Sequence, residues 1–240
     1  TEDLYAGVEF GPVPEELAAV LAAASKNFAP FAGLPKDQYA ISCKINTKHG
    51  SERIVRAAFE HAAKHGRKKV TVVHKANVVR TTDGLFLEEA RKVAKDFPGV
   101  QMDEANVDAI CMWLLKNPHS YEVLVAPNLY GDIISDLAAQ MVGGLGFGCS
   151  GNIGTKLAVF EPSHGSAPKY AGQYKVNPIA TILAAKMMLE WLGEREKAGQ
   201  VERAVAAVIE EGAVRTYDMG GSSSTLEMGE AVAAHLYARR

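Results

Sequence analysis

The stretch Ala126-Pro127-Asn128-Leu129-Tyr130-Gly131-Asp132-Ile133-Ile134-Ser135-Asp136 decides how the rest of the chain can be arranged. Residues 121–125 before it (Tyr-Glu-Val-Leu-Val) have the pattern of a short buried strand, and the apolar residues from 133 to 142 recur at helical spacing. The sequence therefore predicts a strand, a short loop and a helix that begins at Asp132. In open α/β sheets, ligands bind at the carboxyl ends of the strands. We expect this loop to lie at such an edge.

The two carboxylates of this stretch lie one helical turn apart. Like charges at that spacing destabilise an isolated helix by about 0.2–0.5 kcal/mol, so the spacing needs an explanation. One explanation is that Asp132 caps the helix as its N-cap and that Asp136 faces water. The other is a divalent cation, because Mg²⁺ and Mn²⁺ prefer oxygen ligands and are often held by one or two carboxylates. The spacing alone leaves both explanations open.

Composition limits the classes of function. The chain has 240 residues and is 48% hydrophobic, which is enough for a sizeable core in one or two domains. Its net charge of −2 predicts neither a nucleic acid nor an anionic membrane as partner. No apolar run is long enough to span a bilayer, and the acidic residues at the start of the sequence do not predict a signal peptide. Cys43, Cys111 and Cys149 are scattered and odd in number, which favours reduced thiols in a cytoplasmic protein.

Strand-like and helical patterns alternate along the chain, and this predicts an α/β fold. Beyond the central stretch, strands are predicted at residues 4–10, 39–45, 69–74 and 157–161. Helices are predicted at residues 14–25, 51–66, 84–96, 104–116, 178–192, 200–211 and 226–237, with a loop at 27–38. We expect Ser51 to cap the second helix. The run Ser224-Thr225-Leu226-Glu227 predicts a capping box at the start of the last helix.

The run Gly146-Phe147-Gly148-Cys149-Ser150-Gly151 matches the G-x-G-x-x-G pattern of dinucleotide-binding loops. That fingerprint requires a strand before it, a helix after it and an acidic residue about 20 positions further on. In this chain a helix is predicted before it, a strand after it, and the residue at the expected acidic position is Ala171. We therefore expect the glycines to form a flexible or tightly packed crossing between two domains, not a Rossmann site.

Five motifs occur in order along the chain. They are Thr-Glu-Asp-Leu-Tyr-Ala-Gly at 1–7, His74-Lys75-Ala76-Asn77, the run from Asn128 to Asp132 with Asp136, Gly151-Asn152-Ile153-Gly154, and residues 161–170. Together they resemble the β-decarboxylating dehydrogenases of 2-hydroxy acids, which include the isocitrate, 3-isopropylmalate and homoisocitrate dehydrogenases. The resemblance extends over essentially the whole chain. The motif at 1–7 is most similar to that of the isocitrate dehydrogenases.

The resemblance implies an α/β fold of the isocitrate/isopropylmalate dehydrogenase type, with two domains around a dinucleotide site that is not of the Rossmann type. Residues 1–145 would form the small, dimer-forming domain, with residues 10–45 or so as an intersubunit clasp. Residues 146–240 would form the C-terminal part of the large, cofactor-binding domain. Family members carry a longer N-terminal portion, with a serine and several arginines that hold the substrate carboxylates. The resemblance thus implies that this chain is part of a longer protein.

The resemblance also assigns roles to five side chains. Asp132 and Asp136 correspond to metal ligands, and Asp108 to a third ligand from the neighbouring subunit of a homodimer with shared active sites. Lys75 corresponds to the base that helps to remove the substrate hydroxyl proton, and Tyr5 to the acid that protonates the enolate carbon. Taken without the resemblance, Asp108 and Lys75 have the ordinary alternative of a solvated charge. For Tyr5 the ordinary alternative is packing.

The implied reaction is the oxidative decarboxylation of isocitrate to 2-oxoglutarate and CO₂, with Mg²⁺ or Mn²⁺ and with hydride transfer to NADP or NAD. Homoisocitrate and 3-isopropylmalate are alternative substrates. A different hypothesis is a non-catalytic regulatory subunit of an NAD-dependent isocitrate dehydrogenase. Regulatory relatives tend to lose the acid, the base or the metal carboxylates, whereas all five of these side chains are present here.

The loop at 161–170 is expected to hold the adenosine end of the cofactor, with Asn177 and Tyr217 nearby. The loop residues assigned to this role are His164, Gly165, Ser166, Ala167, Pro168, Lys169 and Tyr170. We expect NADP, because the position of Lys169 is typically an aspartate in NAD-using relatives, and because Lys169 and Tyr170 can hydrogen-bond a 2′-phosphate. NAD remains the alternative, since NADP enzymes usually have an arginine where this chain has Gly221, and exposed lysines are common.

Overall fold

The computed structural model describes residues 2–237. The helices are α1 (Glu15–Ala24), α2 (Ala29–Ala32), α3 (Lys48–Lys64), α4 (Thr82–Ala94), α5 (Val107–Lys116), α6 (Asn128–Met141), α7 (Ile179–Trp191), α8 (Arg195–Glu211) and α9 (Thr225–Tyr237). The strands are β1 (Glu9–Phe10), β2 (Ile41–Ser42), β3 (Lys69–His74), β4 (Gln101–Asn106), β5 (Val123–Val125), β6 (Cys149–Ile153) and β7 (Ala158–Pro162). Within the described range, every helix is too short or too polar to cross a membrane.

The chain divides into two compact units, with the boundary between Ile134 and Ser135, inside α6. The predicted boundary lies about eleven residues later, after residue 145. The dimer-forming role of the first part and the clasp at residues 10–45 or so stay predictions.

A three-stranded parallel sheet organises the first unit. Strand β3 lies in the middle, with β4 on one side and β5 on the other. Its sequence Lys-Val-Thr-Val-Val-His is rich in β-branched residues, and the strand is buried from Val70 to His74, as expected for the centre of a parallel sheet. At the carboxyl end His74 pairs with Asn106. The segments that follow the three strands therefore leave the sheet at the same edge.

Helices α3 and α4 pack on each other and cover this sheet. Val55, Phe59 and Ala62 recur at helical spacing on α3 and are fully buried, together with Phe86 of α4. Each large apolar side chain buried in this way stabilises the fold by about 1.5–3 kcal/mol. The predicted cap at Ser51 is wrong. Helix α3 begins at Lys48, the side chain of Thr47 accepts a hydrogen bond from the amide of Gly50 at 3.0 Å, and Ser51 is buried inside the helix.

The N-terminal segments are less regular than predicted. Residues 4–10 form a 3₁₀ turn at Leu4–Ala6 followed by the short strand β1, which pairs antiparallel with β2. Gly7 ends the turn with φ of 67°, a left-handed conformation that interrupts the predicted strand. The predicted loop at 27–38 contains α2, where Phe28 packs its ring against those of Phe31 and Tyr39.

Two helix starts differ from the prediction. The helix predicted from residue 104 begins at Val107, because residues 101–106 pair with β3 as strand β4. Pairing with the central strand outweighs the local preference of this polar segment. The helix predicted to begin at Asp132 begins at Asn128. Asp132 is therefore one turn inside α6 and cannot be its N-cap.

The second unit packs α7 against an antiparallel pair, β6 and β7, and packs α8 between α7 and α9. Ile179 of α7 and Met228 of α9 are fully buried in its core. The predicted capping box is confirmed, since the amide of Ser224 donates to Glu227 at 2.7 Å and the amide of Glu227 donates to the Ser224 hydroxyl at 3.2 Å. Strand β6 begins inside the glycine motif, where a Rossmann fingerprint requires a helix.

Candidate active site

Tyr5 and Asp132 are in contact, although they are far apart in the sequence. The phenolic hydroxyl of Tyr5 donates a short hydrogen bond to Oδ2 of Asp132. Tyr5 lies in the turn Leu4–Ala6 and is 47% exposed, and Asp132 is exposed on α6. The predicted acid and a predicted metal ligand thus share an accessible position in the first unit.

Lys75 and Asp108 form a second pair. The ammonium of Lys75 lies 2.6 Å from Oδ1 of Asp108, and its hydrogen bond holds the pKa of that carboxyl below its usual value. The register of the sheet explains the contact. Lys75 follows His74 at the end of β3, Asp108 lies in the first turn of α5 after β4, and His74 pairs with Asn106. The predicted base and the predicted third carboxylate therefore lie together at the carboxyl edge of the sheet.

Asp132 and Asp136 lie one turn apart on α6, and both are exposed. The N-cap explanation for Asp132 is wrong, because the helix starts at Asn128. Two exposed carboxylates at this spacing fit Mg²⁺ or Mn²⁺, which commonly take one or two carboxylates and complete their coordination with water and substrate oxygens. Among residues 2–237 no three His, Cys, Asp or Glu side chains are grouped closely enough to hold a metal ion.

The loop predicted to hold the cofactor lies after β7 in the second unit. Asn152 of β6 donates to the Glu161 side chain of β7 at 2.8 Å, so two of the five sequence motifs meet across this strand pair. Ala167 has φ of 44°, a left-handed conformation that is rare for alanine, and it leads into a 3₁₀ turn at Pro168–Tyr170. The backbone of this loop thus holds a strained conformation, as segments that bind ligands often do.

Two tyrosines and two lysines cluster at this loop. The rings of Tyr170 and Tyr217 lie 5.6 Å apart between centroids. The ammonium of Lys169 is 4.8 Å from the Tyr170 ring, and that of Lys175 is 5.4 Å from Tyr170 and 5.0 Å from Tyr217. The hydrogen bond and charge of Lys169 lower the pKa of Tyr170, whereas burial and the neighbouring Tyr170 raise the pKa of Tyr217. Two cations and two hydroxyls in one cluster fit a phosphate group.

Asn177 has a structural role at the start of α7. It is buried, it accepts from the amide of Ile179 at 3.0 Å at the start of α7, and it donates to Asp218 at 3.0 Å.

A cleft of about 320 Å³ opens between the predicted cofactor loop and the start of α9. Its lining includes Ser166, Ala167, Tyr170, Tyr174, Val176 and Thr225. Three of these belong to the predicted cofactor loop.

Residues 1–232 match the family model for isocitrate/isopropylmalate dehydrogenase. The chain belongs to this family. The membership confirms the resemblance seen in the five motifs and the fold class that it implied.

Individual relatives in the family differ in substrate and role. The chain is 49% identical, over 193 residues, to a 3-isopropylmalate dehydrogenase of Archaeoglobus fulgidus, covering 80% of this chain and 59% of the relative. It is 47% identical, over 194 residues, to a regulatory subunit of the mitochondrial NAD isocitrate dehydrogenase of Dictyostelium discoideum, covering 80% and 55%. The crystal structure of isocitrate dehydrogenase from Methylococcus capsulatus superposes with a TM-score of 0.85 at 43% identity, covering 98% of this chain and 65% of that one.

The chain therefore spans less than two thirds of the length of these relatives. The roles of Tyr5, Lys75 and the three aspartates stay predictions.

Several residues at the site were not predicted from the sequence. Lys175 has a weak local signal, since it is a second cation close in sequence to Lys169. Asp3, Lys44 and Asp83 join segments that are distant in sequence, so no local pattern could have indicated them. Asp83 accepts from the amide of Lys75 at 2.7 Å, and Asp3 accepts from the amide of Leu129 at 2.9 Å.

Proposed function

We propose that the protein oxidatively decarboxylates isocitrate to 2-oxoglutarate and CO₂, with Mg²⁺ or Mn²⁺ and with NADP as hydride acceptor. The observation that supports this most strongly is the arrangement of its titratable groups. Tyr5 contacts Asp132, and Lys75 contacts Asp108. Each pair joins a proton donor or acceptor to a carboxylate that suits a divalent cation. A regulatory subunit has no need to keep both pairs.

The reaction requires one base and one acid. Lys75, as a neutral amine, would take the proton of the substrate hydroxyl, and a bound nicotinamide would accept the carbinol hydrogen as hydride, which would leave a β-keto acid. A divalent cation held by Asp132 and Asp136 would polarise the hydroxyl and then the new carbonyl. The electrons of the broken carbon–carbon bond move into that carbonyl as CO₂ leaves. Tyr5 then gives its proton to the enolate carbon, which yields the 2-oxo acid.

We propose a homodimer with shared active sites. Tyr5, Asp132 and Asp136 would come from one subunit, and Lys75 and Asp108 from the other. The pairing within one chain supports this division, because it leaves Tyr5 with Asp132 and Lys75 with Asp108. The residues of each pair would then enter the same site together.

The cluster at the cofactor loop supports NADP over NAD. Position 221 cannot take the arginine that is usual in NADP enzymes, because a Cβ added to Gly221 would collide with the backbone carbonyl of Arg215. Lys175 would supply the missing positive charge, since its ammonium lies near both Tyr170 and Tyr217. Lys169, Lys175 and the two hydroxyls would then hold the 2′-phosphate.

The alternatives within the family remain distinct hypotheses. Relatives named as a 3-isopropylmalate dehydrogenase and as a regulatory subunit of an NAD isocitrate dehydrogenase are nearly equally similar to the chain. A complex whose turnover survives Lys75→Ala would favour the regulatory role.

We also propose a cytoplasmic location, because Cys43, Cys111 and Cys149 are all free thiols.

A substrate panel tests the proposed function. The full-length protein is assayed with Mn²⁺ and NADP against isocitrate, homoisocitrate and 3-isopropylmalate, and the products are identified by mass spectrometry. We expect the highest kcat/KM with isocitrate, with one CO₂ and one 2-oxoglutarate for each NADPH. A higher kcat/KM with either of the other acids, or no turnover of any, contradicts the proposal.

A further inference from the structure

Lys44 joins two buried carboxylates in the first unit. Its ammonium lies 2.6 Å from Oδ1 of Asp83 and 3.4 Å from Oδ1 of Asp3. The side chain of Lys44 is 13% exposed, and those of Asp3 and Asp83 are 2% and 0% exposed. The ammonium also lies 4.1 Å from the centroid of the Tyr130 ring. We call Lys44, Asp3 and Asp83 the Lys44 network.

Each carboxylate of the network also holds a backbone amide. The second oxygen of Asp83 accepts from the amide of Lys75 at 2.7 Å, at the end of β3. The second oxygen of Asp3 accepts from the amide of Leu129 at 2.9 Å, in the first turn of α6. The amide of Asp3 itself donates to the carbonyl of Ile45 at 2.7 Å, next to Lys44.

The network therefore contacts the segments that hold Tyr5, Lys75 and Asp132. Asp3 precedes Tyr5 by two residues, and Leu129 precedes Asp132 by one turn. Asp83 fixes the backbone of Lys75. Lys44 forms ion pairs with the two aspartates that hold these segments. A displacement of its ammonium would therefore move Asp3 and Asp83, and with them the segments that they hold.

Stability alone does not account for three buried charges. Desolvation opposes the burial of an ion pair, and well-packed apolar side chains of the same volume are often at least as stabilising. Asp3 also has φ of 65°, which is unusual for a residue other than glycine. Burial lowers the pKa of Lys44, but the hydrogen bond to Asp83 and the charges of Asp83 and Asp3 raise it above its ordinary value overall. The ammonium is thus kept charged where it contacts the two aspartates.

We propose that Lys44 is a positioning residue: by linking Asp3 to Asp83 it fixes Tyr5 and the start of α6 for one active site of the proposed dimer and Lys75 for the other. The inference rests on the catalytic roles proposed above for Tyr5 and Lys75. It adds a residue that touches neither substrate nor cofactor and acts through both aspartates. The chemical steps, not substrate binding, are expected to depend on it.

Full-length variants Lys44→Met, Lys44→Arg, Lys75→Met and the control Lys92→Met test this. Lys92 pairs with Glu88 and Glu89 on the surface of α4, so its removal also deletes a lysine ion pair. For Lys44→Met we expect kcat to fall by about 10- to 100-fold, the scale of an ångström-sized misplacement. We expect KM for isocitrate to stay within about twofold, and the primary deuterium isotope effect on kcat, with deuterium at the carbinol carbon, to increase. Lys92→Met should match the wild type in all three quantities.

Lys44→Arg keeps the test decisive if Lys44→Met does not fold. Arginine keeps the charge but replaces a compact ammonium with a planar fork. We expect its Tm to stay near that of the wild type while its kcat falls and its isotope effect rises. Wild-type kcat and isotope effect in a folded Lys44 variant, together with an inactive Lys75→Met, overturn the positioning role alone. Full turnover by Lys75→Met overturns the proposed function and the positioning role with it.

Discussion

The ammonium of Lys75 and the carboxylate of Asp108 lie 2.6 Å apart within one chain. The contact follows from the register of a parallel sheet, which places the residues after β3 and β4 side by side at its carboxyl edge. Asp132, which also follows a strand of this sheet, is instead paired with Tyr5. One chain thus presents two pairs of titratable side chains, and the proposed shared site in a dimer would combine one pair from each protomer.

Replacing the proposed base should slow the chemical step. In Lys75→Met we expect kcat to fall by about 10²- to 10⁴-fold, the usual contribution of a positioned general base, with a small change in KM. Lys69→Met, at the opposite end of the same strand, is the matched control and should keep kcat. Steady-state kinetics with isocitrate measure both. Equal losses in the two variants would show that strand β3 is merely sensitive to lysine removal.

Replacing the proposed metal ligands should weaken metal binding. In Asp132→Asn and Asp136→Asn we expect the Mn²⁺ concentration for half-maximal activity to rise by more than about 10-fold, because even changes outside the ligand shell cost that much in metal sites. The increase in Tm on adding Mn²⁺ should shrink in parallel. Asp96→Asn removes an exposed carboxylate that pairs with Arg56, and it is the control. An unchanged Mn²⁺ response in both α6 variants would leave these aspartates without a metal role.

Removing either lysine of the cofactor cluster should reduce the preference for NADP. A hydrogen bond to a charged group contributes about 1.5–3 kcal/mol, which corresponds to roughly a 10- to 100-fold change. We expect kcat/KM for NADP to fall by that factor in Lys169→Met and in Lys175→Met, while kcat/KM for NAD changes little. Lys156→Met, in the turn between β6 and β7, serves as the control. A wild-type enzyme that prefers NAD would contradict the assignment of the cluster.

The shifted pKa of Tyr170 predicts how NADP binding depends on pH. Lys169 lowers the pKa of Tyr170 below the ordinary 10.0, so its phenolate forms at a lower pH than that of a free tyrosine and repels the 2′-phosphate. The pKa of Tyr217 is raised, so that hydroxyl keeps its proton over the same range. In the wild type we expect the KM for NADP to begin to rise at a pH below 10. In Tyr170→Phe this rise should be absent. The pKa of Tyr170 is measured from the phenolate absorbance of the wild type minus that of Tyr170→Phe as the pH is raised. A value at or above 10 would refute the prediction.

The sequence predicts those elements whose own residues determine them. Strand β3 is found at the predicted residues because its β-branched run is buried on both faces, and the last helix is found with its capping box because both partners lie within one turn. Strand β4 was missed because Gln-Met-Asp-Glu-Ala-Asn is polar, as an edge strand can be. Only its pairing with β3, which a local pattern does not reveal, makes it a strand.

The same distinction applies to the site. The resemblance predicts the roles of the residues in the two pairs, but it does not predict the pairs themselves. The contacts depend on the register of the sheet and on the turn that brings Tyr5 to α6. Lys44 was missed because its partners, Asp3 and Asp83, are both distant in sequence. The sequence suggests an N-cap at Asp132 because a short loop is predicted before it, whereas α6 starts at Asn128.

Complementation between subunits tests the shared site most directly. Full-length Tyr5→Phe and Lys75→Met proteins are purified separately, mixed in equal amounts, dissociated, reassociated and assayed with isocitrate, Mn²⁺ and NADP. A mixed dimer would contain one site with both substitutions and one intact site, so random reassociation should restore about a quarter of the wild-type activity. Each variant treated alone should stay nearly inactive. No recovery on mixing, with dimers shown to exchange, would contradict a site in which Tyr5 and Lys75 come from different subunits.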